Sequence, residues 1–395
     1  MDAGAKIRVL IAEDSSFMRR VLKLLLTSDP QIDVVGEARD GVETLLLSDA
    51  LNPDVITLDI NMPRKSGLDV TEEIMSTRPR PIVIVSSEAR DPAEPALRAL
   101  ELGAIDFVAK PANGVDLDME SVRDELLRKV KIAAKVHVVR NAARRTPVTV
   151  TDSATSDSSV SRKDVSRADN PGTRAGAQLS AQPLPGNGSQ ATVPHAAGAM
   201  LPVIVMAAST GGPAALMNVL PRLPGNFPAA MLLVQHMPAS FTTQFSRQLA
   251  EVCALRVKEA EAGEMIRSGT VYVCPGANHL RVSPSGRLLL DDGPRVNGHR
   301  PSADLTLESV ADYAGSMGVA VVLTGMGNDG AKGVQALKAA GGHVIVQDES
   351  TSIIFGMPSE AIRTGAVDVV QPLDGICNAI EQRVAMLHGA KAVGL

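Results

Sequence analysis

The stretch "VIVMAASTGGPAALMNVL" at residues 203–220 joins an apolar run to a helix-like pattern through a serine, two glycines and a proline. The unbroken run "VIVMAA" is typical of a strand that is buried on both faces of a parallel sheet. Pro213 then stands at an early helical position, and apolar residues follow at helical spacing. The stretch therefore predicts a strand, a turn and a helix of an α/β protein. It leaves two interpretations of Ser209, as a helix cap or as a nucleophile at the turn.

The same alternation of buried runs and amphipathic segments extends over both halves of the chain. In the first half, the predicted strands are 7–12, 33–38, 54–59, 81–86 and 105–110. The helices between them are predicted to begin near Ser16, Gly41, Leu68, Pro92 and Ser121. In the second half, the predicted strands are 202–208, 229–236, 270–276, 319–325 and 342–348. Right-handed crossovers then predict a doubly wound parallel sheet in the N-terminal half and a doubly wound, mostly parallel sheet in the C-terminal half.

The composition changes abruptly near residue 140 and changes back near residue 198. Ser, Thr, Ala, Pro, Gly and mixed charges dominate this stretch, and large aliphatic side chains are scarce. It cannot bury enough apolar surface to offset the entropy of ordering, which favours a flexible linker over a small loop-rich domain. We therefore predict a first domain at 6–125, a linker at 126–198 and a second domain at 199–391.

Composition excludes several classes of protein. Hydrophobic residues make up 45% of the 395 residues, charged residues 21%, and the formal net charge is -5. This charge provides no basic field for nucleic acid, and no apolar run approaches the roughly 20 residues of a membrane span. The three cysteines have no spacing typical of a disulfide framework or a zinc site. We expect a cytoplasmic protein without nucleic-acid binding or direct membrane insertion.

Polar residues follow four predicted strands of the first half. Glu13 and Asp14 follow the first strand, Asp59 ends the third, Ser86 ends the fourth and Lys110 ends the fifth. The carboxyl ends of parallel strands share one edge, and three carboxylates there would repel one another unless they bind a hard cation such as Mg²⁺. Asp59 could then attack phosphorus, with Lys110 neutralising the phosphoryl oxygens and Ser86 donating a hydrogen bond. For Asp14 alone, a turn or helix-cap role is the alternative.

The motifs "ED", "DINMP", "SS" and "KP", each placed after its strand, resemble the receiver domain of two-component response regulators over residues 6–125. The resemblance implies that Asp59 takes a phosphoryl group from a sensor histidine kinase. It also implies that Glu13, Asp14, Asp59 and the Asn61 carbonyl surround Mg²⁺. Phe107 stands where receivers often carry an aromatic switch residue.

A serine nucleophile needs a base, and the base needs an orienting carboxylate. His236 ends the strand "MLLVQH", and Asp329 in "VAVVLTGMGNDG" follows a buried strand through a glycine-rich loop. Strand order therefore brings both to the sheet edge that carries Ser209. Other candidate bases are His279, His299, His343 and His388. The glycine-rich loop before Asp329 could instead cradle a phosphate, but it lacks the P-loop lysine.

"AASTGGP", "VQHMP", "RPSAD" and "LTGMGNDG" resemble the catalytic domain of the chemotaxis methylesterases, the CheB family. Ala207 stands where the family usually has glycine. The resemblance implies that Ser209, His236 and Asp329 hydrolyse glutamyl methyl esters and deamidate glutamines on methyl-accepting chemotaxis receptors, with no cofactor in this domain. Amides at the helix start near Thr210 and in the loop around Met326 are the candidate oxyanion donors.

The pairing of these two domains predicts control by phosphorylation. We expect the unphosphorylated first domain to pack over the cleft that contains Ser209. Two other function classes are weighed against this hydrolase. A transcription factor would require a basic DNA-binding output domain, and a non-catalytic scaffold would lack a member of the Ser-His-Asp set.

Overall fold

The computed structural model describes residues 5–87, 93–110, 119–136 and 201–392. Most of the predicted linker, from residue 137 to residue 198, lies outside the described residues. Within the described ranges, no helix combines the length and the apolar character needed to cross a membrane.

The N-terminal domain is a five-stranded parallel sheet with helices on both faces. Its strands are β1 (Ile7–Ala12), β2 (Ile32–Ala38), β3 (Val55–Leu58), β4 (Ile82–Ser87) and β5 (Asp106–Lys110). Its helices are α1 (Ser16–Thr27), α2 (Gly41–Leu51), α3 (Gly67–Thr77), α4 (Ala93–Glu101) and α5 (Met119–Ala133). The strand order β2-β1-β3-β4-β5 confirms the doubly wound prediction for this half. It places a topological switch point between β1 and β3, where ligands of such sheets bind.

Helix α5 extends beyond residue 125, where we placed the end of the first domain. The helix runs to Ala133, and Leu126, Val130 and Ala133 are fully buried against the sheet. The sequence "ELLRKVKIAA" continues the apolar spacing of the helix, so packing carries the folded domain past that boundary. The start of the second domain near residue 199 stays a prediction.

The C-terminal domain is built around a seven-stranded sheet. The strands of this domain are β6 (Val203–Ala208), β7 (Ala230–Gln235), β8 (Arg256–Glu259), β9 (Thr270–Val273), β10 (His279–Val282), β11 (Leu288–Asp291), β12 (Gly318–Val322), β13 (His343–Gln347) and β14 (Val369–Gln371). Its helices are α6 (Gly212–Val219), α7 (Ala239–Val252), α8 (Ala303–Ala314), α9 (Ala331–Ala339), α10 (Met357–Arg363) and α11 (Leu373–Ala392). The strand order is β14-β13-β12-β6-β7-β9-β8, and every pairing in it is parallel.

Apolar runs in the sequence predict the inner strands of this sheet but not its edge strands. β8 and β14 are edge strands of four and three residues whose side chains are partly exposed, so they lack a long apolar run. The antiparallel pair of β10 and β11 stands apart from the main sheet and was also missed. The inner strands β6, β7 and β12 are buried on both faces. β6 is the first strand, and β7 and β12 flank it, which places the switch point of this sheet at the end of β6.

The two sheets belong to one compact unit, and side chains of both domains meet between them. The ring of Phe107 in β5 stacks on Phe241 in α7, with centroids 4.2 Å apart and an interplanar angle of 21°. Gln248 of α7 donates a hydrogen bond to Glu101 at the end of α4. The first domain therefore contacts the second through β5 and α4.

Candidate active site

Ser209 lies in the turn between β6 and α6, where its hydroxyl is not used as a helix cap. Helix α6 begins at Gly212, its N-cap is Gly211 at a φ of 77°, and no side chain caps it. In the described part of the chain, the Ser209 hydroxyl has no hydrogen-bond partner. The capping interpretation of this serine is therefore wrong, because Gly211 forms the left-handed turn without a side-chain acceptor.

His236 and Asp329 form a close polar pair at this sheet edge. His236 Nε2 lies 2.7 Å from Asp329 Oδ2, and the aspartate is fully buried. The second ring nitrogen, Nδ1, is buried and has no hydrogen-bond partner among the described residues. A histidine held on one nitrogen by a carboxylate and open on the other has the arrangement of a general base.

The start of helix α8 holds the Asp329 carboxylate in place. Ser302 Oγ donates to Oδ1 at 2.8 Å, and the amides of Ala303 and Asp304 donate at 2.7 and 3.1 Å. Burial alone would raise the pKa of Asp329, but the bonds from His236 and from these amides lower it to about 2. The carboxylate is therefore charged at neutral pH and fixes the orientation of the His236 ring.

Ser209 and His236 line one cavity, which residues of both domains enclose. Of the alternative bases, only His299 lines this cavity. His279 Nε2 and His388 Nε2 lie 3.0 Å from the carbonyl oxygens of Pro294 and Pro228, and His343 pairs with Asp368 at the start of β13. His236 is therefore the histidine that combines the cavity, the carboxylate and a free ring nitrogen.

His299 has a position that the sequence analysis did not assign. Its ring stacks on His236, with centroids 4.1 Å apart and an interplanar angle of 7°. Burial and the neighbouring His236 lower the pKa of His299 to about 4, so the ring is neutral at working pH. His299 follows the dipeptide Asn-Gly, a turn signal that could have been read from the sequence, but the stack joins residues 63 positions apart.

Gln235 was also missed, although it belongs to the quoted motif "VQHMP". Its Nε2 donates to the carbonyl of Ser209 at 2.9 Å, which ties the end of β7 to the serine turn. Gly325 closes the turn from the other side, because a Cβ there would lie 2.9 Å from Ser209 Cβ. The residues around the serine hold it between three strand ends.

Thr210 and Met326, the residues predicted to supply the oxyanion donors, both contact the first domain. Thr210 Oγ1 donates to Asp106 Oδ2 at 2.6 Å. The Met326 sulfur lies 3.7 Å from Arg128 Nη1 of α5. The first domain thus reaches the residue that follows the serine and the loop that precedes Asp329.

The predicted acidic site of the first domain is assembled at the carboxyl edge of its sheet. Lys110 Nζ lies 2.8 Å from both Glu13 Oε2 and Asp59 Oδ2, and all three residues are largely buried. Burial raises the pKa of Glu13, whereas for Lys110 the two carboxylates outweigh burial and raise the pKa of the amine. Carboxylate oxygens of Glu13, Asp14 and Asp59 lie within 4.8 Å of one another. Clustered hard oxygen donors fit a divalent cation such as Mg²⁺.

The remaining predicted residues surround this cluster. Asp14 is exposed beside Glu13, and Asn61 is exposed two residues after Asp59. Ser86 is buried near the end of β4, the strand between β3 and β5. Asp14 is not the cap of α1, because the Ser15 hydroxyl accepts from the Met18 amide in that role.

Comparison with known proteins gives two family matches and full-length relatives. The CheB methylesterase family matches residues 204–380, and the response regulator receiver domain family matches residues 9–120. A protein-glutamate methylesterase/protein-glutamine glutaminase of Symbiobacterium thermophilum is 44% identical over 96% of this chain and 97% of its own length. One of Pyrococcus abyssi is 39% identical over 99% of this chain and 97% of its own.

Among solved structures, the Thermotoga maritima CheB methylesterase catalytic domain is 41% identical and has a TM-score of 0.45. It covers 47% of this chain and 99% of its own length. The family matches confirm both resemblances read from the motifs, together with the predicted fold class.

Proposed function

This chain belongs to the CheB family of chemotaxis response-regulator methylesterases, and from that premise we propose that Ser209, His236 and Asp329 carry out its hydrolysis. The protein is a protein-glutamate methylesterase and protein-glutamine glutaminase of chemotaxis, with a receiver domain in front of its hydrolase. Its substrates in this proposal are glutamyl methyl esters and selected glutamines on the helices of methyl-accepting chemotaxis receptors.

The first half of the reaction forms an acyl-enzyme. Ser209 Oγ attacks the side-chain carbonyl carbon of the substrate while His236 Nδ1 accepts the hydroxyl proton. The bond to the leaving group then breaks, and His236 returns the proton to it, so that methanol or ammonia departs. Asp329 holds the imidazole through Nε2 and stabilises the imidazolium that forms between these steps.

The second half releases the product. Water attacks the glutamyl ester of Ser209, and His236 Nδ1 takes the proton of that water. The acyl bond then breaks, the proton returns to Ser209 Oγ, and the carboxylic acid that forms releases its remaining proton to solvent and leaves as a glutamate carboxylate. Ester and amide substrates therefore converge on the same product and the same regenerated enzyme.

The negative oxygen of the tetrahedral intermediate needs N–H donors. The amides of Ser209 and Gly212 already donate to the carbonyls of Thr324 and Ser209. We therefore assign this role to the backbone N–H groups of Thr210 and Met326, each donor of this kind contributing roughly 3 kcal/mol. Both side chains contact the receiver, which gives the receiver access to these two donors.

The receiver takes its phosphoryl group on Asp59 from a sensor histidine kinase of the chemotaxis type. Glu13, Asp14, Asp59 and the Asn61 carbonyl would hold Mg²⁺, which supplies positive charge for the phosphoryl oxygens. Lys110 is placed between Glu13 and Asp59 to contribute a second positive charge, and Ser86 to donate a hydrogen bond. No cofactor is assigned to the hydrolase, and a cytoplasmic location stays a prediction.

One observation carries the hydrolase proposal. His236 and Ser209 line the same cavity, and His236 Nε2 lies 2.7 Å from Asp329. Among the described residues, neither His236 Nδ1 nor the Ser209 hydroxyl has a hydrogen-bond partner. The test measures methanol release from a methylated receptor segment by the wild type, Ser209→Ala and Ser302→Ala. We expect Ser209→Ala to lose at least about 1,000-fold in kcat and Ser302→Ala to lose much less, because Ser302 only donates to Asp329. Methanol release by Ser209→Ala at the wild-type rate would refute the proposed nucleophile.

A second experiment tests phosphorylation control. Demethylation is followed with and without a small phosphodonor, using the wild type and Asp59→Asn. We expect the phosphodonor to stimulate the wild type only, because the variant lacks the acceptor carboxylate. Equal stimulation of both proteins would remove Asp59 from the switch and leave the hydrolase proposal intact.

A further inference from the structure

We infer that Arg295 is a specificity residue that binds a carboxylate of the substrate next to the group being hydrolysed. The inference rests on the proposed function, because it assigns a substrate preference to the cavity of Ser209 and His236. It predicts that the enzyme favours acidic segments over neutral ones that carry the same glutamyl ester.

The loop that carries Arg295 is fixed against the catalytic base. Val296 and His299 exchange backbone hydrogen bonds of 2.9 Å, and Asn297 and Gly298 between them have φ values of 50° and 82°. These values form a tight two-residue turn, and His299 stacks on His236. Arg295 directly precedes the turn and lines the same cavity as Ser209. A tight turn therefore fixes the backbone beside Arg295, whose side chain lines the cavity.

The charge of Arg295 has no anionic partner in the part of the chain that the structure describes. Its side chain is exposed, and within the described ranges its one hydrogen bond goes to the Gly298 carbonyl at 3.4 Å. Arg300 on the other side of the turn differs, since its Nη1 donates to the carbonyls of Asp292 and Gly293 and thereby holds the loop. Arg300 is structural, whereas Arg295 keeps its donors for a ligand.

A helix with acidic side chains already lies at this entrance. Asp124 and Glu125 of α5 line the cavity together with Arg295, although neither forms an ion pair with it. The same helix brings Arg128 to Met326, so a cation of the receiver is also present while the domains are together. If the receiver moves away, these three side chains leave with it. The catalytic domain then keeps two arginines at the cavity, Arg295 and the carbonyl-bound Arg300. Without the acidic side chains of α5, the charged residues that line this part of the cavity are basic, and Arg295 is the one exposed to a ligand.

The reaction itself supplies the ligand. Each hydrolysis turns a neutral ester or amide into a carboxylate, so a receptor segment with several target residues becomes more anionic as it is processed. Arginine binds a carboxylate through two parallel N–H donors, which gives geometric as well as electrostatic selection. A carboxylate already present near the next ester would strengthen binding in the ground state and in the transition state alike, and would therefore lower KM.

The experiment compares two receptor segments and four enzymes. One segment keeps the carboxylates that neighbour its methyl ester, and in the other these glutamates and aspartates are replaced by alanine. The enzymes are full-length wild type, Arg295→Ala, Arg295→Lys and Arg267→Ala, all treated with a small phosphodonor. Arg267 is the matched control, because it is an exposed arginine just before β9, at the sheet edge opposite Ser209.

We expect Arg295→Ala to raise KM for the acidic segment about tenfold with little change in kcat, as the loss of one charge-assisted contact does. Arg295→Lys should keep part of this selectivity, and Arg267→Ala should match the wild type. On the alanine segment, all four enzymes should have the same KM. An unchanged KM for Arg295→Ala on the acidic segment, or an equal rise on both segments, would overturn the inference.

Ser209→Ala, assayed on the same two segments, separates this inference from the proposed function. If Ser209→Ala is inactive and Arg295→Ala behaves as wild type, only the specificity role fails. If Ser209→Ala remains active, the proposed nucleophile itself fails.

Discussion

At the scale of single residues, the proposed mechanism depends on which ring nitrogen of His236 is hydrogen-bonded to Asp329 and which one is left for Ser209. Asp329 binds Nε2 of His236. The same carboxylate accepts hydrogen bonds from the Ser302 hydroxyl and from the first amides of α8. The motif "RPSAD" therefore contributes to the site by holding the Asp329 carboxylate in place. The strand order could place His236 and Asp329 at one edge, but the choice of nitrogen depends on how α8 packs against β7 and β12.

The first residue-scale prediction concerns His299. We expect His299→Phe to keep most of the wild-type kcat, because a phenyl ring can maintain the stack on His236. His299→Ala should lower kcat about tenfold, because the His236 ring then loses one of its two supports. Steady-state methanol release measures both variants, and equal activities of Phe and Ala variants would contradict the stacking role.

The second prediction uses the titration of the same residue. The pKa of His299 is lowered to about 4 in the folded protein, whereas an unfolded histidine titrates near 6.5. As pH falls from about 6.5 to 4, the unfolded chain takes up a proton that the folded protein does not, so stability falls over this window. We expect the Tm of the wild type to fall more steeply than that of His299→Phe between these pH values. Parallel Tm curves for the two proteins would show that the folded state does not suppress this protonation.

At the scale of elements, the turn that carries Ser209 after β6 packs closely against the loop after β12. Gly325 follows β12, and a Cβ there would lie 2.4 Å from Met357 Sδ and 2.9 Å from Ser209 Cβ. The turn after β6 and the loop after β12 can therefore meet only if this residue lacks a side chain. A glycine-rich loop also suggests phosphate binding from sequence alone, but this loop lies against Ser209 and Asp329, where an anion would be repelled.

The prediction at this scale is that Gly325→Ala both destabilises the protein and reduces its activity. Overpacking of this kind costs about 1–3 kcal/mol of unfolding free energy, and a displaced Ser209 should reduce kcat at least tenfold. Gly389→Ala is the matched control, because a Cβ at that position in α11 meets no atom within 4 Å. That variant should be as active as the wild type and slightly more stable, as alanine favours helix. Denaturant unfolding and methanol release measure both effects.

At the scale of the whole molecule, the acidic site of the receiver and its contact with the catalytic domain lie at opposite ends of β5. Lys110 of the acidic site ends β5, while Asp106 and Phe107 at its start contact the catalytic domain. Lys129 of α5 binds Asp106 and lies 5.0 Å from the centre of the Phe107 ring. β5 therefore connects the proposed phosphorylation site to the interface within five residues.

The prediction at this scale concerns the contact between Gln248 and Glu101. Gln248→Ala removes a hydrogen bond to a charged group across the interface, worth about 1–2 kcal/mol. We expect methanol release without phosphodonor to rise roughly fivefold, since the population of separated domains should grow. Activity with phosphodonor should change little.

Gln382→Ala provides the control for this variant. Gln382 is exposed on α11, and among the residues that the structure describes it bonds only to Asn378 of the same helix. Unstimulated activity that is the same in both variants and in the wild type would mean that this contact does not hold the domains together.

The sequence by itself determined the two parallel sheets, their inner strands and the sheet edges that carry Asp59 and Ser209. It could do so because buried strands produce long apolar runs, and because parallel strands bring their carboxyl ends to one side. Only the tertiary structure decided that Gly211 rather than Ser209 caps α6, that His299 stacks on His236 and that Asp106 reaches Thr210. These contacts join residues distant in the chain, and their energies depend on packing geometry, which local sequence patterns do not encode.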